Sequence, residues 1–444
     1  MSEESKPTTV SRRKFLRTSS GAVALPFLAG AYAEGSDTIR VGVIGCGGRG
    51  AGAAMNAMTA EKSIRIVAMG DLLMDRVKEK RAVLKEKFPE QTDVSDDHCF
   101  SGFDAYRGVI EASDVVLIAN AAKFHPLHQM SAIKSGRHVF VEKPHAVDPA
   151  GAKQVQVACE LAEQKNLCVV SGLQSRFHPG YQETMRRVHE GAIGNIVAIQ
   201  ETWLRAPYVL NERQPGMNEV IFQGSNQYHF NWLSGDDVPQ TLIHNLDRSS
   251  WALHNAAPLR AYGLGGRSTL RGEVYGNVFD HHSVVYQFPE GVRVYAFCRT
   301  IDNCYDENSS LILGSKGRCD LLKLKIEGET NWQHPGGGQS PYVLEHVALF
   351  DAIKKGKAIN SGHHMVRSTQ IAMMGQLSCY TGSEITWDQL TTSDFYFPPK
   401  AEDCREDMEA PVKPGPDGSY PVLVPGETKL LLQGEEEPQR HQGH

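Results

Sequence analysis

The sequence predicts an α/β fold, a doubly wound parallel sheet followed by a second sheet domain. Two patterns carry the first sheet. Residues 39–44 form an apolar strand that runs into Gly45-Cys46-Gly47-Gly48-Arg49-Gly50 and then into a helical run at 51–58. Strands and helices alternate after it: strand 64–69, helix 75–87, strand 114–119, helix 125–134, strand 138–141, helix 149–165 and strand 167–171. Strands separated by helices pair in parallel. The run Val115-Val116-Leu117-Ile118 is continuously apolar, as expected where helices cover both faces.

Composition narrows the function. The 444 residues hold 46 Lys and Arg against 52 Asp and Glu, a net charge of −6, with 41% hydrophobic residues. That supports two packed domains with extensions. No run of basic residues is long enough to neutralise a phosphate backbone, so nucleic acid is not expected as a partner. The nine cysteines are scattered without a C-x-x-C pair, which argues against a disulfide framework or a zinc site.

The amino terminus reads as an address. Arg12 and Arg13 precede Phe15-Leu16, an apolar run at 21–30 and the small-residue step Ala31-Tyr32-Ala33. This order resembles a twin-arginine export signal over residues 1–33, with a periplasmic destination, or a cytoplasmic one if the signal is not used. The apolar run is too short, and too broken by Pro26, for a stable membrane anchor.

The glycine turn has a specific chemistry. In G-x-G-x-x-G the first glycine makes the turn, the second lets backbone approach a pyrophosphate, and the third packs helix on strand. The helix amino terminus then holds phosphate. Asp71 ends the next strand, 26 residues after Gly45, near the spacing of an acid that binds the adenosine ribose. An acid there repels a 2′-phosphate, so NAD is favoured. Arg76 softens that repulsion and leaves NADP open. Ligands of such sheets bind at the carboxyl ends of strands, where Asn120, Glu142-Lys143-Pro144, Gln174 and Arg176 fall.

The segment from Gly136 to Pro144, ending Glu142-Lys143-Pro144, resembles the signature of the Gfo/Idh/MocA family of glucose-fructose oxidoreductase and inositol dehydrogenase. Ile118-Ala119-Asn120, Gly191-Ala192-Ile193-Gly194 and His244-Asn245-Leu246-Asp247 extend the resemblance over roughly residues 38–390. It implies a Rossmann domain followed by an α+β domain whose open, mainly antiparallel sheet covers the nicotinamide. It implies that Lys143 and His244 flank the reacting carbon, with Glu142 and Asn120 near the cofactor. Separately, an ammonium at Lys143 can polarise a carbonyl oxygen or hold an alcohol.

The candidate catalytic pair is therefore Lys143 and His244. Gly45, Gly47, Arg49, Gly50, Asp71, Asn120 and Glu142 are the candidate cofactor contacts, and Arg176, Gln240 and Asp247 the candidate substrate contacts; no metal is expected. Expected boundaries are 34–174 for the dinucleotide domain, 175–398 for a substrate and oligomerisation domain, and 399–444 for a Pro, Gly and Glu-rich tail that wraps a neighbour or is disordered. A homodimer or homotetramer follows from an exposed sheet face.

Within the second domain, 205–237 lacks periodicity but is rich in aromatics and amides, suited to sugar faces or to packing. The helix 241–254 sets His244, Asp247 and Trp251 on one face, where Asp247 can fix the His244 tautomer or bind a hydroxyl. Segments 261–267, 275–282, 284–288 and 291–297 read as strands, and 342–354 and 366–381 as helices. Where the family carries an aspartate four residues before the histidine, this chain has Gln240, which accepts no proton. Two enzymatic readings follow: an oxidoreductase moving a hydride between tightly held NAD and a sugar, polyol or derivative, and a glycosidase or lyase that oxidises, eliminates and re-reduces with no net redox change. A third, a sugar sensor, would show loss of Lys143 or His244.

Overall fold

The computed structural model describes residues 38–430; the export-signal residues lie outside the described residues, as do 431–444. Six strands form the first sheet: β1 (Ile39–Ile44), β2 (Ile64–Asp71), β3 (Cys99–Ser101), β4 (Val115–Ile118), β5 (His138–Val141) and β6 (Val169–Ser171). Their order is β3-β2-β1-β4-β5-β6, all parallel, which is the dinucleotide-fold order. Every side chain of β4 is buried, as its apolar run requires. Part of the cover comes from far along the chain: Leu349, Phe350 and Ile353 of helix Pro341–Lys354 join the core formed by Val41, Val43 and Ala54.

Nine strands form the second sheet: β7 (Ile196–Arg205), β8 (Arg260–Gly266), β9 (His281–Gln287), β10 (Arg293–Thr300), β11 (Glu307–Gly314), β12 (Gly317–Asp320), β13 (Lys325–Gly328), β14 (Trp332–Gln333) and β15 (Ile385–Thr386). The order is β14-β13-β12-β11-β7-β10-β9-β8-β15, and only the β7–β10 pair is parallel. Burial alternates along β9 and β10, so one face is covered and the other open. Helix Gly362–Thr381 lies under the covered face, with Met373, Leu377 and Tyr380 buried.

The expected elements shift in a few places. Strand β3 and helix Ala105–Ala112 were not read from the sequence, being short. Residues 275–280 are not strand. Gly276 takes a positive φ of 52°, and the Asp280 carboxylate accepts the N–H groups of Ser268, Thr269 and Leu270, which turns the chain. The aperiodic 205–240 stretch contains helices Glu219–Ser225 and Asn231–Ser234. Residues 399–430, expected to wrap a neighbour or be disordered, lie against their own chain: Tyr420 is buried, its hydroxyl donates to Glu219, and its ring meets Phe230 edge-on at 4.8 Å. An aromatic with a bonded hydroxyl repays the ordering of a tail this polar.

One buried ion pair ties the end of the chain to the first domain. Lys123 Nζ donates to Asp148 Oδ2 at 3.1 Å and to the Phe397 carbonyl at 2.5 Å. Asp148 also accepts from Gly151 N at 2.8 Å, capping helix Pro149–Gln164, and from Phe397 N at 3.1 Å. Asp148→Ala strands the Lys123 charge and is expected to cost about 3–5 kcal/mol, seen as a lower denaturant midpoint. A midpoint equal to that of the parent protein would contradict this role.

Candidate active site

The glycine turn leaves β1 through Gly45 at φ +92°, where a Cβ would sit 2.4 Å from Asn120 N. A Cβ on Gly50 would lie 1.7 Å from the Gly45 carbonyl, so helix Gly48–Ala60 packs on the turn only as glycine. At Gly47 and Gly48 a Cβ would meet nothing within 4 Å: that space is open to a ligand. The helix start has no side-chain cap, so its N–H groups face the same space. Asp71 closes the turn from β2: it accepts Cys46 N at 2.7 Å and Leu73 N at 3.1 Å, and pairs with Arg76 at 3.4 Å. Asn120 ends β4 with its Oδ1 buried and without a partner. A cavity joins Gly45, Gly47, Arg49, Asp71 and Asn120 to Tyr208, Tyr228 and Trp232. An open glycine backbone, an uncapped helix start and an orphaned amide oxygen fit a dinucleotide.

Arg49 and Glu142 do more than line this cavity. Arg49 pairs with Glu142, lies 3.6 Å from Glu345 and stacks on Tyr342 at 4.8 Å. Glu345 is fully buried with neither oxygen hydrogen-bonded; burial and then Glu142 raise it well above the usual carboxylate range. The sequence reading missed Glu345, which comes from helix Pro341–Lys354, 170 residues after the cofactor domain's last strand.

Lys143 follows β5 and sits at a cis peptide with Pro144. The His125 ring nitrogens lie 2.8 Å from the Pro144 carbonyl and 3.0 Å from the Asn120 carbonyl, and the neutral ring, donating to one of them, bridges the ends of β4 and β5. Lys143 Nζ donates to the Gln240 carbonyl at 2.7 Å. Burial brings its pKa down to about 8, against the pull of Glu142. His244 stands one turn after Gln240, 7% exposed, with Nδ1 unpartnered and its ring 6.0 Å from Trp203. Burial first, then the Lys143 and Arg248 charges, hold it well below the usual histidine range, so the ring is neutral near pH 7. A neutral imidazole can take a proton; a retained ammonium can hold the oxygen that loses it.

The candidate substrate contacts stand differently. Arg176 and Asp247 grip each other: Nε donates to Oδ2 at 3.0 Å and Nη2 to Oδ1 at 2.8 Å. Asp247 also accepts from Ser368 at 2.7 Å, and Arg176 covers Trp251 at 5.0 Å. Asp247 is 1% exposed and does not bond His244, so the expected tautomer-fixing role is corrected: a carboxylate this buried takes a counter-ion. The Gln240 side chain donates to the Ser234 carbonyl at 2.8 Å and turns from the site, leaving its backbone oxygen for Lys143.

Asp237 was missed. It precedes a π-type turn, Val238–Leu242, that leads into helix Ile243–Ala252. Its Oδ1 accepts from Thr241 at 2.6 Å, Thr241 bonds the Tyr208 hydroxyl at 2.7 Å, and its Oδ2 is buried without a partner. Burial raises its pKa. Arg205 stacks on Tyr208 at 3.8 Å, and Tyr208 on Tyr228 at 4.4 Å. The aromatics of 205–240 thus wall the cavity opposite the glycine turn. Asp71→Ala is expected to lower the preference for NAD over NADP about tenfold in cofactor titrations; an unaltered preference would remove Asp71 from the ribose.

Comparison with known proteins places this geometry. Residues 39–172 match the family model GFO_IDH_MocA, described as an oxidoreductase family with NAD-binding Rossmann fold. A glycosyl hydrolase family 109 protein of Solibacter usitatus is 33% identical over 123 residues, 27% of each chain. Inositol 2-dehydrogenase 2 of Saccharopolyspora erythraea is 27% identical over 221 residues, 48% of this chain and 59% of that protein. The chain thus spans less than two thirds of the length of these curated relatives. Among solved structures, an aldose-aldose oxidoreductase of Caulobacter crescentus shares the fold with a TM-score of 0.60 at 17% identity, covering 79% of this chain and 99% of that one. A levoglucosan dehydrogenase has a TM-score of 0.59 at 16% identity, with coverages of 79% and 99%. Residues 39–172 thus match the NAD-binding Rossmann domain described for the Gfo/Idh/MocA oxidoreductases, in agreement with the parallel strand order of the first sheet.

Proposed function

We propose that the protein is an NAD-dependent oxidoreductase that moves a hydride between its cofactor and a CH–OH group of a sugar, polyol or sugar derivative. The observation that carries it is the buried pair of Lys143 and His244, one cationic and one neutral, at the strand end beside the glycine turn. NAD, when bound, supplies the hydride acceptor. Gly45, Gly47 and Gly50 with the helix amino terminus receive the pyrophosphate, and Asp71 the ribose. Lys143 holds the substrate oxygen and stabilises its negative charge. The neutral His244 takes the hydroxyl proton. The walls formed by Tyr208, Tyr228 and Trp232 exclude water and retain the cofactor.

Retention favours a cofactor that is recycled in place. The Arg12-Arg13 leader supports export to the periplasm, where free NAD is scarce, and the relatives include a glycosyl hydrolase as well as dehydrogenases. A redox-neutral cycle of oxidation, elimination and re-reduction is the second reading. No described helix is long and apolar enough to cross a membrane. Tyr262 and Leu264 stand exposed on the open face of the second sheet and support assembly of two or four copies.

Stoichiometry separates the readings. Net dehydrogenation gives about one NADH per substrate consumed, whereas a recycled cofactor gives product with almost none; no product from any sugar or glycoside would sink both. Lys143→Met is expected to lower kcat about a hundredfold or more with cofactor still bound, and an unchanged rate would remove Lys143 from the chemistry. Because burial lowers Lys143 to about 8, the ammonium is present below that pH and kcat/KM falls as pH rises through it. A rate that climbs through the same range would make the neutral amine the working form.

A further inference from the structure

We propose that Arg248 anchors a carboxylate of the substrate, so that the sugar taken by this site is a sugar acid. The inference rests on reading the surroundings of Lys143 and His244 as a sugar site. Arg248 lies one turn past His244 on helix Ile243–Ala252, so both project from the same face. It is 4% exposed. Its Nη1 donates to Ser175 Oγ at 3.3 Å and its guanidinium lies 5.9 Å from the Tyr181 ring. Its Nε and Nη2 are buried and have no partner.

The neighbouring carboxyls do not serve it. Glu201, which burial pushes up to about 7 against the pull of the Arg248 charge, spends its hydrogen bonds on Asn245, Ser249 and Ser310 and makes none to the guanidinium. Asp247 is held by Arg176 and Ser368. A buried guanidinium with two empty donors is costly unless a ligand fills them. Those two donors share one edge of the fork, with parallel N–H bonds, the geometry that takes both oxygens of a carboxylate. Arg176 uses that same edge on Asp247 one residue earlier in the helix. One free guanidinium edge matches one planar anion of single charge. Arg49 is already engaged by Glu142 and Glu345, and Lys143 by a carbonyl.

The test reads binding without turnover. The full-length protein is titrated with D-glucuronate and D-galacturonate, with glucose and galactose, and with glucose 6-phosphate, following the fluorescence of Trp203 and Trp251. At least one uronate is expected to bind at least about tenfold more tightly than its neutral sugar, the value of a single charge-assisted hydrogen bond at its low end. Arg248→Gln is expected to lose that preference. Failure of both uronates to bind, equal binding of acid and neutral sugars by the parent protein, or tighter binding of glucose 6-phosphate would overturn the proposal without a variant. So would a preference that survives in a folded Arg248→Gln protein. Uronate selectivity without any hydride transfer would instead overturn the oxidoreductase reading and leave the anchor standing; turnover of neutral sugars with no uronate preference would do the reverse.

Discussion

A buried ammonium must keep an acceptor, and the place where Lys143 finds one organises the site. Its Nζ lies on the Gln240 carbonyl, a backbone oxygen that no side-chain substitution supplies. That single bond joins the end of β5 in the first sheet to the turn that feeds helix Ile243–Ala252, and so sets His244 beside the ammonium. The chain around it is built to hold the two partners still. His125 clamps the ends of β4 and β5, and the Gln240 amide is anchored on Ser234.

The same constraint gives the site its charge. Lys143, Arg49 and Arg248 bear together on His244 in a space from which water is largely removed. Each cation is answered differently: Arg49 by two carboxyls, Lys143 by a neutral carbonyl, Arg248 by a single hydrogen bond to a hydroxyl, with the Glu201 carboxyl near but not bonded to it. A neutral histidine follows first from burial and then from that surplus, because a second proton there would lose its hydration and face three positive charges.

The first sheet was legible because its signals are local. Alternating apolar runs, a glycine turn and an acid at the next strand's end are read along the chain, and Gly45, Gly50 and Asp71 stand as the motif implies. The second domain was legible in its hairpins, but the turn at Gly276 and Asp280 was not, since the carboxylate that bends it bonds residues ten to twelve positions earlier. Helical spacing grouped His244, Asp247 and Trp251 correctly as neighbours. It could not show that Asp247 is consumed by Arg176, a residue 71 positions away, and that Arg248 is left without a carboxylate. Glu345 and Asp237 were invisible for a related reason. Their importance lies in buried carboxyl oxygens left without a hydrogen bond, which only the packed chain reveals. The π-type turn before His244 carried one cue, a helix opening on Asp236-Asp237-Val238-Pro239 with two acids ahead of a proline.

Transfer of the hydride itself is the central claim, and isotopic labelling tests it whether or not the cofactor is released. Single-turnover reaction of the protein with its bound cofactor and a sugar deuterated at each carbinol carbon, followed by mass spectrometry of the extracted nicotinamide, reports where the deuterium goes. Deuterium in the nicotinamide from one carbon position, with a slowed rate for that position alone, is the result predicted here. Product formed with no deuterium passing through the nicotinamide at any time in the turnover and no slowed rate at any carbinol position would contradict it.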